Sequence, residues 1–173
     1  GFEISLPNSI VEDLVESLLE DSRISLAGFG ARDVLRIEAG LCLYGQDISE
    51  SITPLEAGLN WVISKKKLDD LSFLGSTKLK SKKEKGLDLF RVGISLKNKV
   101  IPRNSSNIKN KDNKKIGFVT SGSYSPNISK PICMGYISQS ELKNKSDLNI
   151  EVRGEDYSAS FESLPFISHK YKK

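Results

Sequence analysis

Three side chains in this 173-residue sequence stand where their chemistry could be used: Arg32, Trp61 and Arg91. Arg32 falls at the expected start of a helix, where free backbone N–H groups and the helix dipole favour an anion. The competing arrangement is a local ion pair with Asp33 or Glu38. Trp61 is the single tryptophan and sits beside Leu59, Val62 and Ile63, the pattern of a buried core aromatic. Arg91 opens the run Arg91-Val92-Gly93-Ile94, whose alternation sends every second side chain to one face of a strand, so by pattern alone it is a surface strand end. Other chemistries are thinly supplied. Cys42 and Cys133 lie far apart in apolar surroundings without metal-ligand spacing, and read as buried reduced thiols suited to an intracellular, reducing compartment. The one histidine, His169, stands in a basic tail, which leaves neither a histidine cluster for a metal nor a Ser-His-Asp set. No metal is expected.

These residues need elements to hold them. The opening Gly1-Phe2-Glu3-Ile4-Ser5-Leu6-Pro7 reads as a strand from the middle of a domain, as though the chain began inside a fold, and lacks the form of a signal peptide. Ser9-Ile10-Val11-Glu12 has the form of a capping box, with Asn8 an alternative cap. Ile10, Val11, Leu14 and Leu18 then recur at helical spacing, which predicts about three turns of amphipathic helix. Ala27-Gly28-Phe29-Gly30 is a small-residue turn before a short helix over residues 31–38, starting close to Arg32 and stopping near Gly40. Thr53-Pro54-Leu55-Glu56 repeats the capping signature, with Pro at the first helical position, and leads into Ala57 to Val62. From Leu87 onward short β-type runs alternate with Gly, Asn, Ser and Pro. The candidates are 89–96, 116–120, 132–137, 148–152 and 157–161, and their number and spacing predict a small barrel or sandwich. The Lys-rich segment 76–86 is expected to be exposed, mobile chain and to hold the boundary between the two parts.

A composition of 38% hydrophobic and 28% charged residues is that of a soluble globular protein. The net charge of +4 is concentrated: 13 of the 26 lysines and arginines lie between Lys78 and Lys115, with Glu84, Asp88 and Asp112 as the acids there, so 13 basic residues face 19 acidic ones elsewhere. The body is therefore acidic. The Lys/Asn-rich stretch 104–115 has no aromatic residue to stack on a base and reads as a solvated loop, so no nucleic-acid partner is expected. No run approaches the roughly 18 uninterrupted apolar residues of a membrane span.

The run from Gly30 to Ile48, Gly-Ala-Arg-Asp-Val-Leu-Arg-Ile-Glu-Ala-Gly-Leu-Cys-Leu-Tyr-Gly-Gln-Asp-Ile, followed by Thr53-Pro54-Leu55-Glu56-Ala57-Gly58-Leu59-Asn60-Trp61, resembles the glycine cleavage T-protein family closely. Arg91-Val92-Gly93-Ile94, Val119 to Pro126, Met134-Gly135-Tyr136-Ile137, and the closing Val152-Arg153-Gly154 through Leu164-Pro165-Phe166 agree in the same order. Everything but the loop around 103–115 is covered.

The resemblance implies an α+β chain: the end of an α/β folate-binding domain over residues 1–80, then a small C-terminal antiparallel β-barrel over 81–173. It implies a tetrahydrofolate-dependent aminomethyltransferase. Such an enzyme takes the aminomethyl group presented on the lipoyl arm of the H-protein, passes its one-carbon unit to tetrahydrofolate and releases ammonia. The implied compartment is the mitochondrial matrix in a eukaryote and the cytoplasm in a bacterium. The family's catalytic aspartate and the Gly-Glu-Asp segment that holds the pterin precede the position matching Gly1. No catalytic residue is therefore expected in this chain, and the chain by itself is expected to be inactive. The folate-contacting positions it does match are Arg32, Trp61 and Arg91, with Trp61 packing one face on the core and the other on the ligand, and a pocket between the two parts. Glu38 and Asp47 are expected to hold turns through Arg36 or backbone N–H groups, Glu56 to cap, and Gly40, Gly45 and Gly58 to serve the backbone; Tyr44 also stands in the motif. Two other readings compete. One is the folate domain of the sarcosine and dimethylglycine dehydrogenases, which usually place a tryptophan where this chain has Tyr44. The other is a non-enzymatic, folate-binding iron-sulfur assembly factor, whose Cys-Tyr spacing is interrupted here by Leu43.

Overall fold

A computed structural model describes residues 2–70, 72–142 and 148–170. The chain forms two compact units, Gly1–Arg32 and Asp33–Lys173.

In the first unit, residues 2–7 pair with no strand among the described residues, in contrast to the strand expected there, and Phe2 and Ile4 are exposed. Residues 8–10 close a 3-10 turn through a hydrogen bond from Ile10 N–H to the Pro7 carbonyl, 3.2 Å. That turn takes up Asn8 and Ser9, so the cap of helix α1 (Val11–Leu19) falls on Ile10 and the capping box does not form. The helix is amphipathic, as its spacing predicts, yet buries none of its residues. Helix α2 (Phe29–Glu38) begins three residues before Arg32, and the division between the units falls within it.

The second unit is built on a barrel. Helix α2 ends in a Schellman motif: Gly40 N–H donates to Ile37 O (2.9 Å) and Leu41 N–H to Arg36 O (2.8 Å). This geometry requires the positive φ of 65° that Gly40 adopts without strain. A 3-10 turn at Asn60–Val62, helix α3 (Lys65–Asp70) and helix α4 (Ser76–Lys85) follow. Segment 76–86, expected to be mobile chain, is thus mostly helix. Leu79 is buried under it and Lys82 finds two carboxylates, which gives the run an anchored side that its lysine content conceals.

Six strands then close a ring: β1 (Leu89–Leu96), β2 (Asn107–Lys109), β3 (Lys115–Ser125), β4 (Lys130–Ser138), β5 (Leu148–Val152) and β6 (Glu155–Glu162), with helix α5 (Gln139–Leu142) between β4 and β5. All pairings are antiparallel, in the order β1-β4-β3-β2-β5-β6 and back to β1. The chain is α+β with a closed antiparallel barrel, as expected, although β2 rises from the stretch read as a solvated loop.

Alternation explains the packing. Val92, Ile94 and Leu96 of β1, Cys133 and Ile137 of β4, Ile108, Val119, Leu148, Ile150, Val152 and Ala159 form the barrel interior. The other face of β4 is buried as well: Ile132 and Met134 pack with Ile37 of α2, Leu164 and Phe166. A layer from residues 33–63 and the closing segment therefore lies against the outside of β4, which is why its run of seven consecutive residues, 131–137, is wholly buried.

Candidate functional site

Arg91, the third residue of β1, faces outward into this layer. Its backbone N–H donates to Glu56 O (3.0 Å), its Nε to Ala57 O (2.7 Å) and its Nη1 to Gly40 O (2.7 Å), with Met134 Sδ 3.3 Å from Nη1. It is thus no loose strand end. It gathers the end of α2 and the loop 53–58 onto the barrel. Nη2 makes no hydrogen bond among the described residues and points towards Gly58, where a Cβ would come within 4.0 Å of it. Gly58 has φ +68°, so its backbone favours glycine while the missing side chain keeps that edge of the guanidinium open. A guanidinium held on two sides by carbonyls and open on the third is oriented to receive a carboxylate or a similar anion.

The loop that Arg91 holds is itself a hydrogen-bonded unit. Glu56, buried, accepts from Thr53 N–H (3.0 Å) and Thr53 Oγ1 (2.7 Å), so the capping box expected at 53–56 forms, although it closes a single turn and no longer helix. Lys82 of α4 donates to the other oxygen, Oε1, at 3.0 Å. Burial alone would raise the Glu56 carboxyl; the hydrogen bonds from Thr53 and Lys82 outweigh it and hold the group below its ordinary range. Trp61 follows four residues after Ala57. It is 75% exposed, which corrects its reading as a core aromatic: the 3-10 turn of Asn60–Val62 turns the ring out of the packed layer. Its ring is free to serve as a wall for a flat ligand.

Arg32 lies in the first unit, exposed. Both local partners considered for it are taken: Asp33 pairs with Arg36 at 2.7 Å, and Glu38 accepts from Ser125 Oγ and from Asn127 Nδ2 (2.8 Å). No ion pair of Arg32 occurs among the described residues. Arg91 and Trp61 are joined through one loop of the second unit; Arg32 stands outside that unit.

A polar node beneath the site was only half legible. Asp47, 1% exposed, accepts from Arg36 Nη1 and Leu43 N–H (2.9 Å), which is the turn-holding role expected of it. It also accepts from Thr120 Oγ1 and from Ser121 Oγ at 3.0 Å, and its carbonyl accepts from Tyr136 Oη at 2.8 Å. Two consecutive strand residues reach one carboxylate because β3 carries a bulge: Val119 faces Gly135 and Ser121 faces Met134, leaving Thr120 as the extra residue. Glu38, by contrast, uses neither Arg36 nor a backbone N–H. It ties α2 to the end of β3 and the turn after it, because Arg36 is committed to Asp33 and Asp47.

Cys42 and Cys133 are free thiols; burial pushes both upward, Cys133 strongly, so neither is poised as a thiolate. Among the described residues no group of three or more His, Cys, Asp or Glu could hold a metal, and no helix is long and apolar enough to cross a membrane. A cleft of about 330 Å³ runs beside Arg91 along the seam of β1 and β6, between Leu142, Phe161 and Leu164.

Fold and site together define an α+β protein whose closed C-terminal barrel presents an arginine to a loop layer on its outer face. Comparison with known proteins makes this specific. Residues 1–67 match the family described as the GCVT N-terminal domain, and residues 91–167 match the glycine cleavage T-protein C-terminal barrel domain. The mitochondrial aminomethyltransferase of Solanum tuberosum is 42% identical over 175 residues, covering 100% of this chain and 43% of the relative. The probable mitochondrial aminomethyltransferase of Schizosaccharomyces pombe is 38% identical, again over the whole chain and 44% of the relative. The crystal structure of the glycine cleavage system aminomethyltransferase T from Bartonella henselae superposes with a TM-score of 0.88 at 35% identity, over 97% of this chain and 46% of that one. The chain belongs to the glycine cleavage T-protein family and corresponds to its C-terminal portion. It spans somewhat less than half the length of these relatives.

Proposed function

We propose that this chain is the folate-tail and barrel portion of a tetrahydrofolate-dependent aminomethyltransferase. The enzyme receives an aminomethyl group from the lipoylated H-protein, transfers the one-carbon unit to tetrahydrofolate and releases ammonia. Within it, residues 1–80 complete the folate-binding domain and 81–173 form the barrel domain, a division that falls in the gap between the two matched family segments. The contribution of this chain is binding: Arg91 receives a carboxylate of the folate tail, Trp61 stacks on the aminobenzoyl or pterin plane, and Arg32 adds a second cation. No residue of the chain is assigned a catalytic role, and no metal is required. The proposed location is the mitochondrial matrix for a eukaryotic source, in keeping with the mitochondrial names of the two curated relatives, and the cytoplasm for a bacterial one.

The observation that carries this reading is the Arg91 guanidinium, fixed by the carbonyls of Gly40 and Ala57 with Nη2 left open beside Gly58. The test is calorimetric titration with 5-formyltetrahydrofolate, an oxidation-resistant folate with the same tail. Arg91→Met weakens binding by about tenfold or more, the loss expected when a charge-assisted hydrogen bond to a ligand carboxylate is removed. An unchanged Kd rejects the assignment.

A further inference from the structure

Lys82 does something that a lysine on an exposed, lysine-rich helix does not ordinarily do. Its Nζ lies 3.0 Å from Glu56 Oε1 and in direct contact with Asp88, and its side chain is only 24% exposed. It therefore joins three segments: α4, the 53–56 turn, and the three-residue lead into β1. The last two lead to the proposed site. The carbonyl of Glu56 accepts from the Arg91 backbone N–H (3.0 Å), the next carbonyl, Ala57 O, from Arg91 Nε (2.7 Å), and four residues on stands Trp61. Asp88 lies three residues before Arg91, and its carbonyl accepts from Gln139 N–H (3.2 Å), so the strand is fixed on that side too. The loop is thus gripped on one edge by Arg91 and on the other by Lys82.

From this geometry we infer that Lys82 is a positioning residue for the folate site: by holding the Glu56 carboxylate against Asp88, it sets the loop that orients the Arg91 guanidinium and carries Trp61. The inference rests on the folate reading of Arg91 and Trp61. It extends that reading to a residue that touches no ligand. The neighbouring lysines of α4 differ in kind: Lys80, Lys83 and Lys85 are exposed, and Lys78 reaches only the Glu50 carbonyl (3.2 Å). Removing Lys82 leaves Glu56 with its Thr53 hydrogen bonds alone, so the turn persists while its attachment to α4 and to Asp88 is lost. The expected result is a folded protein with a misplaced loop.

The experiment uses the 173-residue chain in five forms: wild type, Lys82→Met, Lys82→Arg, Glu56→Gln and Lys82→Met/Glu56→Gln. Arg91→Met serves as the reference for the folate reading. Two quantities are read, the Kd for 5-formyltetrahydrofolate and acrylamide quenching of Trp61, the single tryptophan and so an unambiguous reporter of the loop. Lys82→Met and Glu56→Gln each weaken binding by about fivefold to tenfold, and the double variant is no worse than either single one, because the two act through one contact. Quenching of Trp61 changes in the folded state of Lys82→Met. Lys82→Arg, whose guanidinium can bridge the same two carboxylates, returns both readouts to within about twofold of wild type. A residue that merely adds stability would lower the melting temperature and leave affinity and quenching alone. If Lys82→Met keeps wild-type affinity and quenching while Arg91→Met loses binding, the positioning role is overturned and the folate reading stands. Additive losses in the double variant also overturn it. If Arg91→Met binds as tightly as wild type, or wild type does not bind, the folate reading falls and takes this inference with it.

Discussion

The residue that organises the site is Arg91, and its worth lies in the direction of its donors more than in its charge. Lysine cannot meet two carbonyls in different segments with a planar fork, so Arg91→Lys loses the contacts to Gly40 and Ala57 together. Its expected cost is about 1–2 kcal/mol in denaturant unfolding, with binding weakened as in Arg91→Met. Arg32 makes a separate prediction. Calorimetry should show Arg32→Ala weakening folate binding more than Lys80→Ala does, since a charge meeting a desolvated ligand carboxylate counts for more than a solvated one. Equal effects would remove Arg32 from the site. Asp47→Asn tests the node beneath. It leaves Arg36, 10% exposed, facing a neutral amide, and should cost about 3 kcal/mol of stability. The Arg36–Asp47 link was legible because both residues sit in one short motif. The hydroxyls of Thr120 and Ser121 were not, because strict alternation would send one of them inward, and only the bulge aligns them. Trp61 misled for a similar reason: apolar neighbours suggested the core, whereas a three-residue turn rotates the ring away from it.

At the scale of elements, the strands were readable where hydrophobic runs were long, as over Leu89–Leu96 and Leu148–Val152, and poorly readable where pairing alone defines them, as for Asn107–Lys109. Helix α4 was hidden by its lysines; a single buried leucine and one ion-paired lysine do not alter a composition. The turn at 53–56 gives a pH prediction. Glu56 titrates below its ordinary range in the folded protein, so the unfolded chain takes up the proton first as the pH falls. The contribution of Glu56 to stability is therefore complete above about pH 4.3, the usual glutamate value, and is lost as the pH drops through the lower folded value. Urea unfolding between about pH 6 and pH 3 should show a shallower acid-side loss in Glu56→Gln than in wild type. Strand crossings make a steric prediction. A Cβ on Gly117 would lie 2.0 Å from the Tyr136 carbonyl oxygen, so β3 and β4 cannot keep their spacing in Gly117→Ala. A loss of about 3 kcal/mol is expected by denaturant unfolding.

For the whole molecule, the contrast between the two units matters most. The second unit has an interior in which Ile94, Ile108, Val119, Ile132 and Ile150 are fully enclosed, while in the first unit α1 buries nothing and Ile10, Leu18, Leu26 and Phe29 lie open to solvent. Apolar side chains displayed along an amphipathic helix and its flanking segments favour association with like surfaces. The isolated chain should therefore self-associate as its concentration rises. Light scattering should show Leu18→Glu/Phe29→Glu shifting the species back to monomer; a monomeric wild type at all concentrations would contradict this.

The barrel is closed by its smallest member. β2 contributes three residues, pairs with β5 at only Ile108 and Lys109, and meets β3 across an irregular register. Ile108 plugs the interior there, and Lys109 reaches across β5 to Glu151 (2.9 Å) and on to Asp156 of β6 (2.9 Å), lacing the closure from outside. A hoop with one short latch opens at the latch. Amide hydrogens of β2 and of the facing part of β5 should exchange with deuterium through a local opening, well before those of β4, which wait for global unfolding. Salt should hasten the first class by screening the Lys109 contacts and leave the second nearly unchanged. The strand that rises from the most polar part of the sequence is then the one that sets how often the ring breathes.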